Sequence, residues 1–280
     1  KENDLFKYNW LQQDIETLIN KYSDLGYAYV DINPITQFNQ KTRELELIYS
    51  ITKGKKVYFG EINIIGNNKT RDNVIRRELS IADGDLYSGT LLNQSKNNIN
   101  RLGFFEEVQV QKDRSMETDL LDITFKVKEK STGHIQAALG FSPGGETQAS
   151  WFGQVGYDEK NQSGKGWTTS LNAKWAASND YMFGINFSDP KVNDSLWSLG
   201  LGVSYEARLN RYSSGIEVPE RRTQVNLTVG RSLLEQIRGN ITLTHRNINQ
   251  QKKVTAFEGF SSGGIQNSLS LGLSRHNLNN

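Results

Sequence analysis

The chain has 280 residues, enough for two or three domains, and its 33 basic residues nearly balance its 31 acidic ones. This balance provides no overall field of the kind that attracts nucleic acid, so we do not expect nucleic acid as a partner. The sequence contains no cysteine, which excludes disulfides, cysteine-ligated zinc and a thiol nucleophile, and its three histidines are too scattered to indicate a metal site or a catalytic triad.

The N-terminal part predicts a helix followed by two strands. Apolar residues recur at helical spacing over 9–25, and Gly26 fits a helix stop. Residues 27–35 and 44–52 have the alternation of strands, and 39–41 is a plausible turn between them. Together these elements resemble the end of an α+β unit.

Residues 55–130 predict a complete β-α-α-β-β unit. Thr70 and Ser88 are suited to cap helices over 71–79 and 88–102, and Gly103 is suited to end the second one. Strands are predicted over 57–65, 108–112 and 120–128. The two units therefore indicate an internal repeat, although two unrelated small α+β domains with ordinary cores would give the same pattern.

The composition changes near Ser131–Gly133, where the chain becomes rich in glycine, serine, asparagine and tryptophan and alternates strictly between apolar and polar residues. Short turns between the alternating segments require antiparallel neighbours. The predicted strands cover 134–141, 146–157, 165–177, 180–188, 195–210, 221–234, 237–248 and 266–278.

Alternation alone leaves the surroundings of these strands open, because a soluble sandwich or a lipocalin-like barrel also alternates. The sequence has no run of about 18 apolar residues that would form a transmembrane helix, but a barrel strand needs only about 9–11 residues with alternate positions apolar. The polar positions here hold small residues that suit a wet lumen better than a sandwich core. A membrane barrel is therefore the favoured interpretation.

Aromatic residues occur near both ends of the apolar stripe. Trp167 and Trp175, like Trp197 and Tyr205, are eight positions apart in the sequence. That spacing spans about 26 Å along a strand, or about 20 Å of depth for a strand tilted by about 40°, close to the distance of about 25 Å between aromatic girdles. We therefore predict a set of membrane-interface aromatics: Trp151, Tyr157, Trp167, Trp175, Tyr181, Trp197 and Tyr205.

Several short motifs follow one another in a fixed order along nearly the whole chain. They are GYAY at 26–29, INIIGN at 62–67, VIRREL at 74–79, NRLGFFEEV at 100–108, VKEK at 127–130 followed by Thr132-Gly133, NQSGKG at 161–166 and FSDP at 187–190. Each motif is weak alone, but the ordered set resembles the BamA family of outer-membrane assembly factors. In that family, polypeptide-transport-associated (POTRA) domains precede a transmembrane β-barrel.

The resemblance implies a fold and a location. Residues 1–54 would be a partial POTRA domain, 55–130 the complete last POTRA domain, and 131–280 the N-terminal strands of an antiparallel transmembrane barrel. The POTRA domains would lie in the periplasm and the barrel in the bacterial outer membrane. The family barrel has about twice as many strands as the eight predicted here, and its Val-Arg-Gly-Phe loop motif is absent, so we expect a chain truncated at both ends.

The resemblance also implies a function, namely the folding and insertion of client outer-membrane proteins as the central component of an assembly machinery. Exposed strand edges in the POTRA domains would pair with unfolded clients of any sequence. The first barrel strand would border a lateral seam, and its small residues would weaken pairing there. The alternative is that the small residues only fit a tight barrel wall. The seam strand comprises Gly133, His134, Ile135, Gln136, Ala137, Ala138, Leu139, Gly140 and Phe141.

Partners follow from the same resemblance. Arg76 and Asp83 are predicted to contact a periplasmic lipoprotein, although a solvated helix face would look the same. Lys252 and Lys253 are candidates for contact with lipopolysaccharide, although a solvated loop is the alternative, and the strands themselves would contact outer-membrane lipid. Arg221 and Arg222 are predicted to end a loop at the membrane surface.

Other functions remain possible on the sequence alone. A POTRA-barrel translocator that secretes one specific partner protein has the same organisation, and a passive porin or adhesin would lack the POTRA-like half. We find no catalytic constellation and no cofactor motif, because the glycine pairs at 144–145 and 263–264 precede strands without a following helix. We therefore do not expect an enzyme.

Overall fold

The computed structural model describes residues 6–114, 119–142, 150–177, 180–211, 217–234, 237–250 and 263–275. These residues form two compact units. The first contains the residues up to 68 together with 75–130, and the second contains 69–74 together with the residues from 131 onward. None of the described helices is long and apolar enough to cross a membrane.

The first unit begins with a helix and a two-stranded hairpin: α1 (Tyr8–Ser23), β1 (Asp31–Asn39) and β2 (Glu44–Thr52). Gly26 has a φ of +96°, which glycine adopts without strain, and it ends the turn at 24–26 that follows the helix. The Asn39 side chain accepts a hydrogen bond from Lys41 N at 3.0 Å and so fixes the turn between β1 and β2.

The predicted start of β1 at residue 27 is wrong by four residues. Tyr27 N donates to Tyr22 O at 3.2 Å, and the rings of Tyr22 and Tyr27 pack edge to face at 6.4 Å. Tyr27 therefore packs against the C-terminal turn of α1, and β1 begins at Asp31, opposite Thr52 of β2.

The chain continues in the predicted β-α-α-β-β order: β3 (Tyr58–Ile65), α2 (Asp72–Arg76), α3 (Gly89–Arg101), β4 (Phe105–Arg114) and β5 (Leu120–Glu129). The sheet order is β3-β5-β4, with β3 parallel and β4 antiparallel to β5. Ser88 caps α3, as predicted, because its Oγ accepts a hydrogen bond from Leu91 N at 3.2 Å. The core between the helices and this sheet contains fully buried apolar side chains: Phe59, Ile75, Ile99, Leu121, Ile123 and Phe125.

Asp24 joins the end of α1 to the start of α3. Its carboxylate accepts hydrogen bonds from Ser88 Oγ at 2.6 Å, from Thr90 N at 3.0 Å and from Thr90 Oγ1 at 2.7 Å. Burial alone would raise the pKa of Asp24, but the hydrogen bonds from Ser88 and Thr90 outweigh it and hold this pKa below its usual value. The ionised carboxylate of Asp24 therefore links α1 to α3 in the folded state.

The second unit is one antiparallel sheet in which each strand pairs with its neighbours in sequence, in the order β13-β12-β11-β10-β9-β8-β7-β6. A short 3₁₀ turn at Val192–Asp194 connects β9 to β10. The strands are β6 (Gly133–Ser142), β7 (Ser150–Gln162), β8 (Trp167–Ala176), β9 (Tyr181–Asp189), β10 (Trp197–Arg211), β11 (Glu217–Leu234), β12 (Ile237–Gln250) and β13 (Gly264–Arg275). The eight predicted antiparallel strands are therefore confirmed.

Most strand ends lie within a few residues of the predicted ones, and two strands extend well beyond them. β7 continues to Gln162 instead of ending at residue 157, and β11 begins at Glu217 instead of residue 221. Arg221 and Arg222 consequently lie inside β11, opposite Ala207 and Glu206 of β10, and the prediction of a loop end is wrong. At this end of the β10–β11 pair, beyond the apolar alternation, the ion pairs Arg208–Glu220 and Arg222–Glu206 join the two strands.

The register places the apolar residues of successive strands on one face. One row across the sheet contains Ile135, Tyr157, Leu171, Ile185, Val203 and Val225, and another contains Phe187, Leu201, Leu227, Leu243 and Leu269. This face is open, and Leu139 and Leu271 are 86% and 76% exposed. Among the described residues no second sheet covers it, which is unlike a soluble sandwich, whose apolar faces pack on each other.

Candidate functional site

The strand β6 forms one edge of the eight-stranded sheet. All ten of its residues pair with β7 in an unbroken antiparallel register, from Gly133 opposite Glu159 to Ser142 opposite Ser150. Among the described residues no strand pairs with its other side. The predicted seam residues 133–141 therefore all lie on an edge strand.

The hydrogen-bonding phase of this edge can be read from two bonds. Lys160 N donates to Thr132 O at 3.3 Å, and Ala177 N donates to Trp151 O at 2.9 Å. Because the paired positions of an antiparallel ladder alternate, the even-numbered residues of β6 direct their N–H and C=O groups at β7. Five odd-numbered residues direct theirs at the open edge: Gly133, Ile135, Ala137, Leu139 and Phe141.

Gly140 is small for a reason of packing. A Cβ at this position would lie 2.5 Å from Cζ of the Phe152 ring on the neighbouring strand. The ammonium of Lys174 lies 4.7 Å from the centroid of the same ring. Gly140 therefore fits the alternative interpretation of the small residues, whereas the role of Ala137 and Ala138 in a weak seam stays a prediction.

Four of the predicted interface aromatics lie at the end of the sheet where β8 connects to β9. Trp175 faces Tyr181 across the β8–β9 pair, and the Tyr181 ring lies 6.0 Å from that of Tyr205. On the edge side, the rings of Trp151 and Phe141 are 5.2 Å apart. These side chains form an aromatic group at this end of the apolar face.

The opposite end of the strands has a second aromatic group. The rings of Trp167 and Phe187 are 5.3 Å apart, and Lys165 Nζ lies 4.0 Å from the Trp167 ring centroid. Arg231 lies 5.0 Å from the ring centroid of Trp197. Tyr157 is separate from both groups, and its hydroxyl lies 3.4 Å from the Glu159 carboxylate.

The structure also contains a charged cluster that sequence reasoning missed. On the polar face, Glu220 is 4% exposed, pairs with Arg222 and lies 3.7 Å from Arg208 Nε. Glu206 lies 3.9 Å from both arginines. The four residues come from the predicted ends of two strands, and only the register shows that they meet.

The two predicted lipoprotein contacts have different environments. Arg76, at the end of α2, donates from Nη1 to Ile62 O at 3.2 Å, so its side chain is tied to β3. Asp83 is exposed in the turn that precedes α3, and Asp85 fixes this turn by accepting a hydrogen bond from Ala82 N at 2.9 Å. Contact of either residue with a partner stays a prediction. Lys252 and Lys253 lie outside the described residues.

Comparison with known proteins agrees with this organisation. The POTRA family model, described as surface antigen variable number repeat, matches residues 1–54 and 57–130. The chain is 35% identical over 204 residues to the outer membrane protein assembly factor BamA of Nitratidesulfovibrio vulgaris, covering 71% of this chain and 25% of that protein. It is 33% identical over 186 residues to BamA of Neisseria meningitidis serogroup B, covering 66% of this chain and 23% of that protein. The chain thus spans about a quarter of the length of these relatives.

Two solved structures share the fold. BamA from Haemophilus ducreyi lacking POTRA domains 1–3 matches all of this chain and 56% of its own chain, with a TM-score of 0.79 at 21% identity. CdiB from Acinetobacter baumannii matches 95% of this chain and 48% of its own, with a TM-score of 0.55 at 16% identity.

POTRA units followed by antiparallel barrel strands define an outer-membrane POTRA–barrel protein whose POTRA domains lie in the periplasm. The sequence identities narrow the class further, since the relatives at 33–35% identity are BamA proteins. The chain belongs to the BamA family. The finer division into domains at 54, 130 and 131 stays a prediction.

Proposed function

We propose that this chain is part of the central component of an outer-membrane β-barrel assembly machinery, which folds and inserts client outer-membrane proteins by presenting β6 as a template. One observation carries the proposal: β6 is fully paired on one side, and its other edge directs the backbone groups of five residues away from the sheet. Such an edge pairs with an extended segment of any sequence, because the hydrogen bonds involve only the backbone.

The membrane adds a driving force to this pairing. Unpaired backbone N–H and C=O groups are costly in a bilayer, by several kcal/mol each, so an open edge favours the addition of another strand. A client strand that pairs with β6 also extends the apolar face, since the odd-numbered residues that present the free backbone groups carry the lipid-facing side chains Ile135 and Leu139. The proposed activity needs no covalent chemistry.

The partners of the proposed machinery fit other surfaces of the chain. Asp83 and Arg76 would contact a periplasmic lipoprotein, with Asp83 the freer of the two because Arg76 also binds Ile62 O. The two aromatic groups at the ends of the apolar face would lie at the two membrane interfaces, with Lys165 and Arg231 near lipid headgroups. Lys252 and Lys253 remain candidates for contact with lipopolysaccharide.

Depletion of the full-length protein in its own cells tests the proposal. We expect a general loss of folded outer-membrane barrels, measured as the heat-modifiable fraction of several unrelated barrel proteins in isolated membranes. Loss of a single exported protein, with the other barrels at normal levels, would instead establish the translocator, the second candidate.

A covalent lock tests the mechanism. The full-length protein, with β6 joined by a disulfide to whichever strand closes the seam, should lose client insertion into lipid vesicles and regain it on reduction. The same cysteine pair in its reduced form is the matched control. An oxidised protein that inserts clients at the unlocked rate would rule out a lateral seam.

A further inference from the structure

Apart from the packing of the Phe152 ring over Gly140, the strand β6 contains little that would fix its own register on β7. The side chains of its central residues Gln136, Ala137 and Ala138 are all exposed. A shift in register would therefore not move any of them from a buried position into solvent. A slip by one residue would exchange the two faces, but a slip by two would keep the alternation intact. The contact of Phe141 with Trp151 is ring packing, which is less directional than a hydrogen bond. If β6 shifted along β7, the backbone groups at its outer edge would be displaced from the positions that receive a client strand.

A buried polar cluster holds the start of this strand. Thr132, directly before β6, is 3% exposed and donates its hydroxyl to Glu159 of β7, which is 8% exposed. Asn161 N donates to the same carboxylate at 3.0 Å, and Lys69 Nζ lies 3.7 Å from Glu159 and 3.4 Å from Thr132 Oγ1. We call Thr132, Glu159 and Lys69 the register clamp. This buried carboxylate opposes sliding of β6, because a shift would break its directional hydrogen bond with Thr132.

The segment 69–74 braces the clamp against the turn between β7 and β8. Asn161 is 1% exposed, donates to Thr70 Oγ1 at 2.9 Å and accepts from Gly166 N at 2.8 Å. Gly164 accepts a hydrogen bond from Arg71 N at 3.0 Å, and a Cβ on this residue would lie 1.9 Å from Lys69 O. The turn and the segment are therefore in direct backbone contact, and Lys69 is held beside Glu159.

We propose that the register clamp, centred on Glu159, fixes the register of β6 on β7 and so positions the open edge that receives the client strand. This inference rests on the proposed function, since it assigns positioning residues to the template strand. Glu159 and Thr132 act through β6 and need not touch the client.

Disulfide trapping of the register tests the inference, because the chain contains no native cysteine. Ala138 faces Gln154 in the structure, so cysteines at these two positions report the native register. Cysteines at Gln136 and Gln154, or at Ala138 and Gly156, report a slip of two residues in either direction. These even-numbered positions are hydrogen-bonded pairs with Cα atoms about 5.5 Å apart, which suits a disulfide.

In the full-length protein embedded in lipid vesicles, Thr132→Val and Glu159→Ala should raise the ratio of slipped to native cross-links at least about tenfold, the effect of losing a hydrogen bond to a charged group. Client insertion should fall with the native fraction. Thr132→Ser keeps the hydroxyl and should retain the native register. Asp158→Asn removes the same charge one residue away on the opposite face and should change neither measurement. Only the heat-modifiable, folded fraction is scored, so a folding defect does not imitate a slip.

The inference is overturned if both clamp variants keep the native cross-link, if Asp158→Asn slips as they do, or if the register slips and client insertion stays normal. Failure of the proposed function looks different. In that case the unaltered protein does not speed client insertion at all, whatever the cross-links show.

Discussion

Proline substitutions at Ala137 and Ala138 test the two hydrogen-bonding edges of the seam strand one at a time. Proline has no N–H to donate, so its effect depends on where that group points. The N–H of Ala137 points to the open edge of β6, and that of Ala138 points to β7. Proline is tolerated on an edge strand only where the lost N–H faces outward. Two adjacent alanines thus provide a matched pair of variants.

The expected magnitudes differ for the two variants. Ala137→Pro leaves the ladder with β7 intact and removes one of the five free donors, so one carbonyl of a paired client strand stays unsatisfied at a cost of about 1–3 kcal/mol. At about 1.4 kcal/mol per factor of ten, client insertion should slow by roughly 5- to 140-fold while the thermal stability of the barrel changes little. Ala138→Pro breaks the ladder itself and should destabilise the barrel by about 1–3 kcal/mol, because it leaves a carbonyl of β7 without its donor.

The assay is the rate at which purified full-length protein in lipid vesicles converts an unfolded client barrel into its heat-modifiable form. Thermal unfolding of the same preparations measures barrel stability. Normal insertion by a folded Ala137→Pro protein would refute template pairing at the open edge. Equal destabilisation by both prolines would show that the assigned hydrogen-bonding phase is wrong.

Three further predictions concern individual contacts. Gly140→Val should destabilise the barrel by about 1–3 kcal/mol through its clash with the Phe152 ring, and Phe152→Ala in the same chain should relieve most of this loss; additive effects in thermal unfolding would contradict the packing argument. Glu220→Gln should lower the free energy of unfolding by about 1–3 kcal/mol, because it leaves two arginines without their buried carboxylate. Glu206, whose side chain is 36% exposed, is the control, and Glu206→Gln should lower it by less than about 1 kcal/mol in the same assay. The folded-state pKa of Asp24 is lowered from 3.8, so its contribution to stability is complete above that value and is lost as the pH falls through the folded pKa. At neutral pH, hydrogen-exchange protection of α1 should therefore be higher in the unaltered protein than in the Asp24→Asn variant. This difference should disappear in acid.

The strand pattern illustrates what local sequence is able to predict. Alternation marked eight strands and assigned their faces, because side chains of a strand point to opposite sides at every step. Ser88 was correctly predicted as a helix cap, because its hydroxyl reaches a donor only three residues away. The helix predicted over 71–79 is shorter in the structure, where α2 covers Asp72–Arg76. Leu79 N donates to Arg76 O in a turn of three residues, and Arg71 N donates to Gly164 O, so neither end continues the α-helical hydrogen-bond pattern.

The candidate site divides in the same way. The sequence indicated β6 as the seam strand by resemblance, but no local pattern reveals which of its backbone groups are free, since that depends on the pairing phase with β7. Gly140 looked like a weak point of the strand until the Phe152 ring on β7 explained its size. The charged cluster around Glu220 was missed because its members belong to two strands whose ends are joined only by the register.

By itself, the sequence determined the order of the elements, the faces of the strands and, through its ordered motifs, the family. Each of these depends on periodicity or on residues close together in the chain. Only the tertiary structure decided which backbone groups β6 presents at its outer edge and how Glu159 meets Lys69 and Thr132. Those contacts join residues far apart in the sequence, and a buried carboxylate finds such partners only after the chain between them has folded.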